Sequence, residues 1–140
     1  MSRENVEFVQ GLFAGVAGTD KQTLLAALPE LIALSCDPEI EWIEHPDRAD
    51  ARIHRGHSGV RASWERWLEN FDEYSFEVEE IVDCGDDVFV VGREEARGAA
   101  SGAPVSLRDY MVMTFRDGKL LRYREFTDER AARQAAGLPA

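Results

Sequence analysis

Residues 113–128, MTFRDGKLLRYREFTD, hold two strand-like runs around one turn signal, and that turn decides the fold. Asp117-Gly118 marks a tight hairpin, because a two-residue connection requires positive φ values that Asp and Gly tolerate. Working back, SFEVEEIVD (75–83), DDVFVVGREEARG (86–98) and PVSLRDYMVMTFR (104–116) are also strand-like, separated by CGDD and ASGAP. Connections this short predict an antiparallel meander. Before Asp72 the period is helical. Val6, Val9, Phe13 and Val16 predict a helix over 4–16, which GTD (18–20) ends, with Thr19 or Asp20 capping the next. Leu24, Leu25 and Leu28 carry that second helix, and Pro29 is read as the start of a new short one over PELIALS (29–35). EIEWIEHP (39–46) reads as a strand and DRADARIHRGHSG (47–59) as a polar loop. Val60, Trp64, Trp67, Leu68 and Phe71 form the clearest helical stripe. DERAARQAAGLP predicts a last helix, capped by Asp128 and stopped at Gly137. Helices followed by a curled antiparallel sheet define an α+β chain, with residues 1–140 forming one domain.

Composition narrows the function. The net charge is −11, and no basic stripe interrupts the acids, which argues against nucleic acid and against an anionic membrane surface. Cys36 and Cys84 make neither a disulfide framework nor a CxxC metal site. MSRENVEF lacks the charged and apolar regions of a secretory leader, so a cytoplasmic protein is expected. His54 and His57 lie in a loop with no third ligand in register, so no metal is expected. GxSxG, phosphate-loop and GxGxxG patterns are absent, and no cofactor is expected.

The strand faces point to chemistry. Val105, Leu107, Asp109, Met111, Met113 and Phe115 share the apolar face of their strand, on which Asp109 is the single charge. A buried carboxylate needs a partner, a wet strand end or a raised pKa. On the last strand Leu121, Tyr123, Glu125 and Thr127 share a face, and the arginines occupy the other. Glu125 therefore points inward and is the best acid or base candidate. In GREEAR (92–97), Glu94 shares its face with Val88 and Val90, a bulge near Gly92 would swap the faces, and cross-strand ion pairs are the simpler expectation for the charges.

Taken together, ENVEFVQGLF, DPEIEW, RGHSGVRASWERWLENF, VEEIVDCGDDVFVV, MTFRDGKLLRYREFTD and AARQAAGLP resemble the nuclear transport factor 2-like superfamily, in its SnoaL-like polyketide cyclase branch. The resemblance implies a cone-shaped, cystatin-like α+β barrel whose helices pack on a curved sheet around a pocket, commonly in a homodimer formed through the sheet. Ketosteroid isomerases of this superfamily carry an aspartate base in an E-D-P segment. IEHP matches it, which puts His45 at the base position and in the pocket mouth. Their oxyanion donors correspond to Leu12 and Met111 here, so both donors are missing. SnoaL-type cyclases place a His where Met111 stands and an acid where Glu125 stands. Alternation in EIEWIEHP instead buries Ile40 and Trp42 and turns His45 away, unless the strand is covered on both sides.

The resulting expectation is a pocket for a small hydrophobic, carbonyl-bearing molecule. Glu125, His45 and Asp109 are the catalytic candidates for cofactor-free cyclisation, isomerisation or hydration. Trp64, Tyr123, Met111, Met113, Thr127 and Leu12 are the ligand-binding candidates. A non-catalytic binding dimer and a structural dimer with a filled pocket are the alternatives.

Overall fold

The computed structural model describes residues 2–16, 19–45, 49 and 51–139. Gly18 and Pro46, and the side chain of Val16, lie outside the described residues.

Helix α1 (Ser2–Val16) buries Val9 completely and sets Phe8 edge-on to Phe115 and Phe13 stacked on Phe76. Helix α2 (Lys21–Ser35) is capped by Asp20, whose carboxylate accepts the Thr23 N–H at 2.7 Å. Such a cap stabilises a helix by about 1 kcal/mol. Pro29 does not begin a separate helix, as the sequence suggests, but lies inside α2. Leu24, Leu28 and Ile32 are spaced four apart and buried on one face across the proline. Burying three such side chains is worth roughly 1.5–3 kcal/mol each, against about 3 kcal/mol for an interior proline. The stripe wins.

Strand β1 (Cys36–Glu44) is followed by β2 (Arg52–Arg55), helix α3 (Gly56–Leu68) and strands β3 (Phe71–Cys84), β4 (Asp87–Gly98), β5 (Pro104–Arg116) and β6 (Lys119–Phe126). Helix α4 (Glu129–Ala135) completes the order. The six strands form one curved, unclosed sheet in the order β2-β1-β6-β5-β4-β3. β3 to β6 are the expected antiparallel meander, and Asp117 (φ 51°) and Gly118 (φ 76°) make its last turn. Two features differ from the sequence reading. β1 joins β6 in parallel, so the sheet is mixed rather than purely antiparallel. The segment read as polar loop contains β2, paired antiparallel with β1. Its single apolar residue, Ile53, is exposed, so alternation gave no sign of it.

The concave face packs under α1, α2 and α3 and holds the main core, including Ile40, Trp42, Val88, Val90, Met111 and Met113. The opposite face carries a smaller cluster of Phe89, Val91, Val112 and Phe126 against Ala132 of α4. Asp128 caps α4 by accepting from Ala131 N–H at 3.1 Å, and Gly137 (φ 78°) follows the helix end.

No bulge occurs in β4 at Gly92. The irregularity lies opposite, between Val78 and Glu80 of β3, so the β4 faces stay in register and Glu94 remains concave. Gly92 serves close packing instead: a Cβ there would stand 2.3 Å from Phe76 Cζ and 3.0 Å from Met111 Cε. Gly92→Ala should therefore destabilise the fold by about 2 kcal/mol through overpacking. Urea denaturation would read this as a lower midpoint with unchanged slope.

Candidate active site

The concave face and the three helices above it enclose a cavity of about 390 Å³. Leu12 from α1, Trp64 from α3, Met111 and Met113 from β5, and Tyr123 from β6 all line it. Trp42 and Trp67 add to the aromatic wall, with Trp42 stacked on Tyr123 at a ring separation of 3.7 Å. Thr127 is a correction. The alternation of Tyr123 and Glu125 would bring it inside, but β6 ends at Phe126. The chain then leaves the sheet for the α4 cap, and Thr127 is exposed and off the cavity lining.

Glu125 lines the cavity as expected. Asp109, 6 % exposed, is buried but is not part of the lining. What the structure adds is Glu94, also 6 % exposed, which does line the cavity. One carboxylate oxygen from each of Glu94, Asp109 and Glu125 lies within 4.8 Å of the others. Among the described residues Glu94 makes no cross-strand ion pair of the kind expected; Arg93, on the other face, faces Glu79 at 3.5 Å. Asp109 likewise has the carboxyl groups of Glu94 and Glu125 for neighbours.

Burial first, and then neighbouring negative charge, raises all three acids. Glu94 is pushed up to about 8, with Asp109 adding to the effect of burial. Asp109 rises to about 7 through burial and Glu125, and Glu125 to about 7 through burial and Glu94. At neutral pH the cluster therefore holds shared protons instead of three negative charges. Two tyrosines complete it. The Tyr74 hydroxyl donates to Glu94 Oε1 at 2.5 Å, and the Tyr123 hydroxyl to Glu125 Oε2 at 3.3 Å. Burial holds both phenols well above their ordinary value, so they stay donors. The Trp67 indole favours the ionised form of Glu94. Trp67 Nε1 and Glu94 Oε2 are both buried without a hydrogen-bond partner at ordinary distance among the described residues. Three converging carboxylates could also ligate a hard cation, but such an ion takes about six oxygens, and the wall around them is tryptophan, tyrosine and methionine.

His45 resolves the conflict between alternation and resemblance. β1 ends at Glu44, and His45 takes a left-handed backbone (φ 49°), which interrupts the strand alternation. Both Glu44 and His45 consequently line the cavity. The His45 N–H donates to the Glu125 carbonyl at 2.7 Å, so the two residues are neighbours across adjoining strands, and His45 Nδ1 is buried without a partner among the described residues. Glu44 accepts from Ser63 Oγ at 2.9 Å and meets His54 Nε2 at 3.1 Å. His57, read from the sequence as a loop residue, lies in the first turn of α3, is half-buried and bonds the Cys36 carbonyl at 2.9 Å.

Sequence reasoning missed Glu44, Tyr74 and the role of Glu94. Glu44 continues the Ile40–Trp42 alternation and was legible. Tyr74 lies at the start of a strand longer than its apolar run, which begins at Phe71.

A family model for the SnoaL-like domain matches residues 9–123. The chain belongs to the SnoaL-like family. Solved structures agree on the fold of this SnoaL-like protein. A candidate SnoaL-like polyketide cyclase from Jannaschia sp. CCS1 is 23% identical, with 99% of this chain and 95% of that one covered and a TM-score of 0.72. TerC, co-crystallised with polyporic acid, is 22% identical over 96% of this chain and 98% of its own, with a TM-score of 0.69. A nuclear transport factor 2-like protein from Burkholderia thailandensis E264 is 25% identical with the same coverages and TM-score. No curated protein sequence matches the SnoaL-like chain. No helix among its described residues is long and apolar enough to cross a membrane.

Proposed function

We propose that this SnoaL-like protein is a cofactor-independent proton-transfer enzyme acting on a small, apolar, carbonyl-bearing molecule held in the cavity. The observation that carries the reading is the convergence of the Glu94, Asp109 and Glu125 carboxyl groups within 4.8 Å of one another, with Glu94 and Glu125 on the wall of a cavity of about 390 Å³. That volume suits a small organic ligand, and carboxyls raised towards neutrality can both accept and donate protons at working pH. The co-crystallisation of TerC with polyporic acid supports a small-molecule site in this fold.

In this reading Glu125 removes a proton from the carbon next to the carbonyl. The C–H electron pair moves to the oxygen as an enolate, which the proton held by Glu94 stabilises through a hydrogen bond. The enolate carbon then attacks a second carbonyl, giving cyclisation, or is reprotonated elsewhere, giving isomerisation. Glu94 thus supplies the donor that the resemblance alone counts as lost at Leu12 and Met111. Asp109 is a positioning residue, since it meets Glu94 and Glu125 behind the lining. His45, whose Nδ1 is buried without a hydrogen-bond partner among the described residues, is the second proton acceptor.

The test is deuterium exchange at the carbons beside the carbonyl of 2-tetralone in D₂O, followed by proton NMR. Exchange well above the buffer rate supports the enzyme; exchange at the buffer rate with bound ketone favours the alternative, a non-catalytic small-molecule-binding dimer. The homodimer through the sheet is part of both readings, and sedimentation velocity checks it.

A further inference from the structure

The charges around the cavity are lopsided. Glu44, Glu94 and Glu125 line it and Asp109 stands behind them, whereas the arginines on its lining, Arg52 and Arg66, are both exposed. No buried lysine or arginine among the described residues faces the carboxyl cluster. A buried group of acids without a cation must keep protons or receive a positive charge from outside. A second observation indicates where that charge would sit. Glu94, with 6 % of its surface exposed, leaves Oε2 buried and without a hydrogen-bond partner at ordinary distance among the described residues, while its side chain lines the cavity. The neighbouring surfaces are aromatic. Trp42 and Trp64 lie with ring centroids 6.2 Å apart, and Trp64 meets Tyr74 edge-on at 6.3 Å. Indole and phenol faces attract organic cations, and more so when water is excluded.

From this geometry we infer that the cavity binds a small organic ammonium ion, an aryl- or alkylamine, with its nitrogen against Glu94 and Glu125, which Asp109 backs from behind, and its apolar body against Trp42 and Trp64. The inference goes beyond the proton-transfer reading and does not depend on it. A bound ammonium takes the place of a proton: its N–H groups donate to the carboxylates and the proton displaced leaves to solvent. The groups that face the cluster then favour the ionised form. Tyr74 from β3 already donates to Glu94, Tyr123 from β6 to Glu125, and the Trp67 indole from α3 faces Glu94. From β1, Glu44 adds negative charge and His45 lines the same cavity, while the exposed Arg52 and Arg66 carry positive charge on its lining.

Isothermal titration calorimetry on the full chain tests this with 2-phenylethylammonium against 2-phenylethanol, a neutral probe of nearly the same shape. The ammonium should bind at least about tenfold more tightly at about pH 8. Its affinity should rise by up to tenfold per unit between about pH 6 and pH 8, as displacement of one proton requires. Buffers of different ionisation enthalpy should report that released proton. Glu94→Gln, checked by circular dichroism and melting, should remove most of the preference, and Glu65→Gln on the exposed side of α3 should keep it. Equal affinity for the two probes, an ammonium affinity that does not change with pH, or full preference in folded Glu94→Gln would each overturn the inference. Ketone exchange in D₂O without ammonium selectivity would sink this inference alone and leave the proton-transfer reading standing.

Discussion

Glu125→Gln should lower proton exchange from a bound ketone by roughly 10²–10⁴-fold, the usual contribution of a positioned general base. The amide keeps the shape of the side chain, so affinity for the ketone should change little. It cannot take up a proton at neutral pH, and so removes the one cavity-lining acid that is both tied to Tyr123 and adjacent to His45. Asp109→Asn should act differently. Because Asp109 reaches the cavity only through its neighbours, the variant should move the alkaline limb of the pH–rate profile, set by the proton that Glu94 must keep, to lower pH, as one source of negative charge beside Glu94 is lost. A profile unmoved in Asp109→Asn would remove Asp109 from the mechanism, and full exchange in Glu125→Gln would remove Glu125.

The second large effect is on stability, and its direction is set by the same cluster. Glu94, Asp109 and Glu125 are raised to about 8, 7 and 7 in the fold, whereas an unfolded chain ionises them near their ordinary values of 4.5, 3.8 and 4.5. Below the ordinary values both states are protonated, and the contribution of these groups to stability is complete. As pH rises, the unfolded chain gives up protons that the fold retains, so stability falls until the folded groups ionise as well. The melting temperature should accordingly drop by on the order of 10 °C between about pH 5 and pH 8. Glu94→Gln should flatten that slope, since Gln carries no charge at either pH. Asp20, Asp37 and Glu79 work in the opposite sense. Backbone bonds from Thr23 and Glu39 lower the first two, and Arg108 lowers Glu79, so their contributions are lost only under more acidic conditions. A melting temperature that climbs from pH 5 to pH 8 would contradict the shared-proton account.

Legibility from sequence followed the strength of local signals. Asp117-Gly118 specified its turn outright because few residue pairs tolerate that backbone, and the alternating faces of β5 and β6 followed from it. Pro29 misled because a propensity rule is local, while the Leu24–Leu28–Ile32 stripe draws its energy from the sheet below. RIHR was invisible because an edge strand with one exposed apolar residue is held by backbone bonds that any side chains permit. At the site, Asp109 and Glu125 stood out as lone acids on apolar faces. Glu94 did not, because Arg93 and Glu95 beside it offered an ion pair that the strand pleat sends to the opposite face. His45 needed a left-handed backbone that no residue around it announced.

The parallel seam between β1 and β6 also shapes how the molecule folds. Trp42 pairs with Tyr123 and Glu44 with Glu125, contacts between segments far apart along the chain. Closing so long a loop costs entropy before any contact compensates it, which slows folding relative to the local hairpins of the meander. The β5–β6 hairpin can form early, with Asp109 and Glu125 already beside each other, whereas Glu44 and His45 arrive only when that long loop closes. During synthesis β1 leaves the ribosome well before β6, with only β2 to cover one of its edges. The cavity is thus the last part of the molecule to be completed, and ligand binding should report on whether the whole chain has closed.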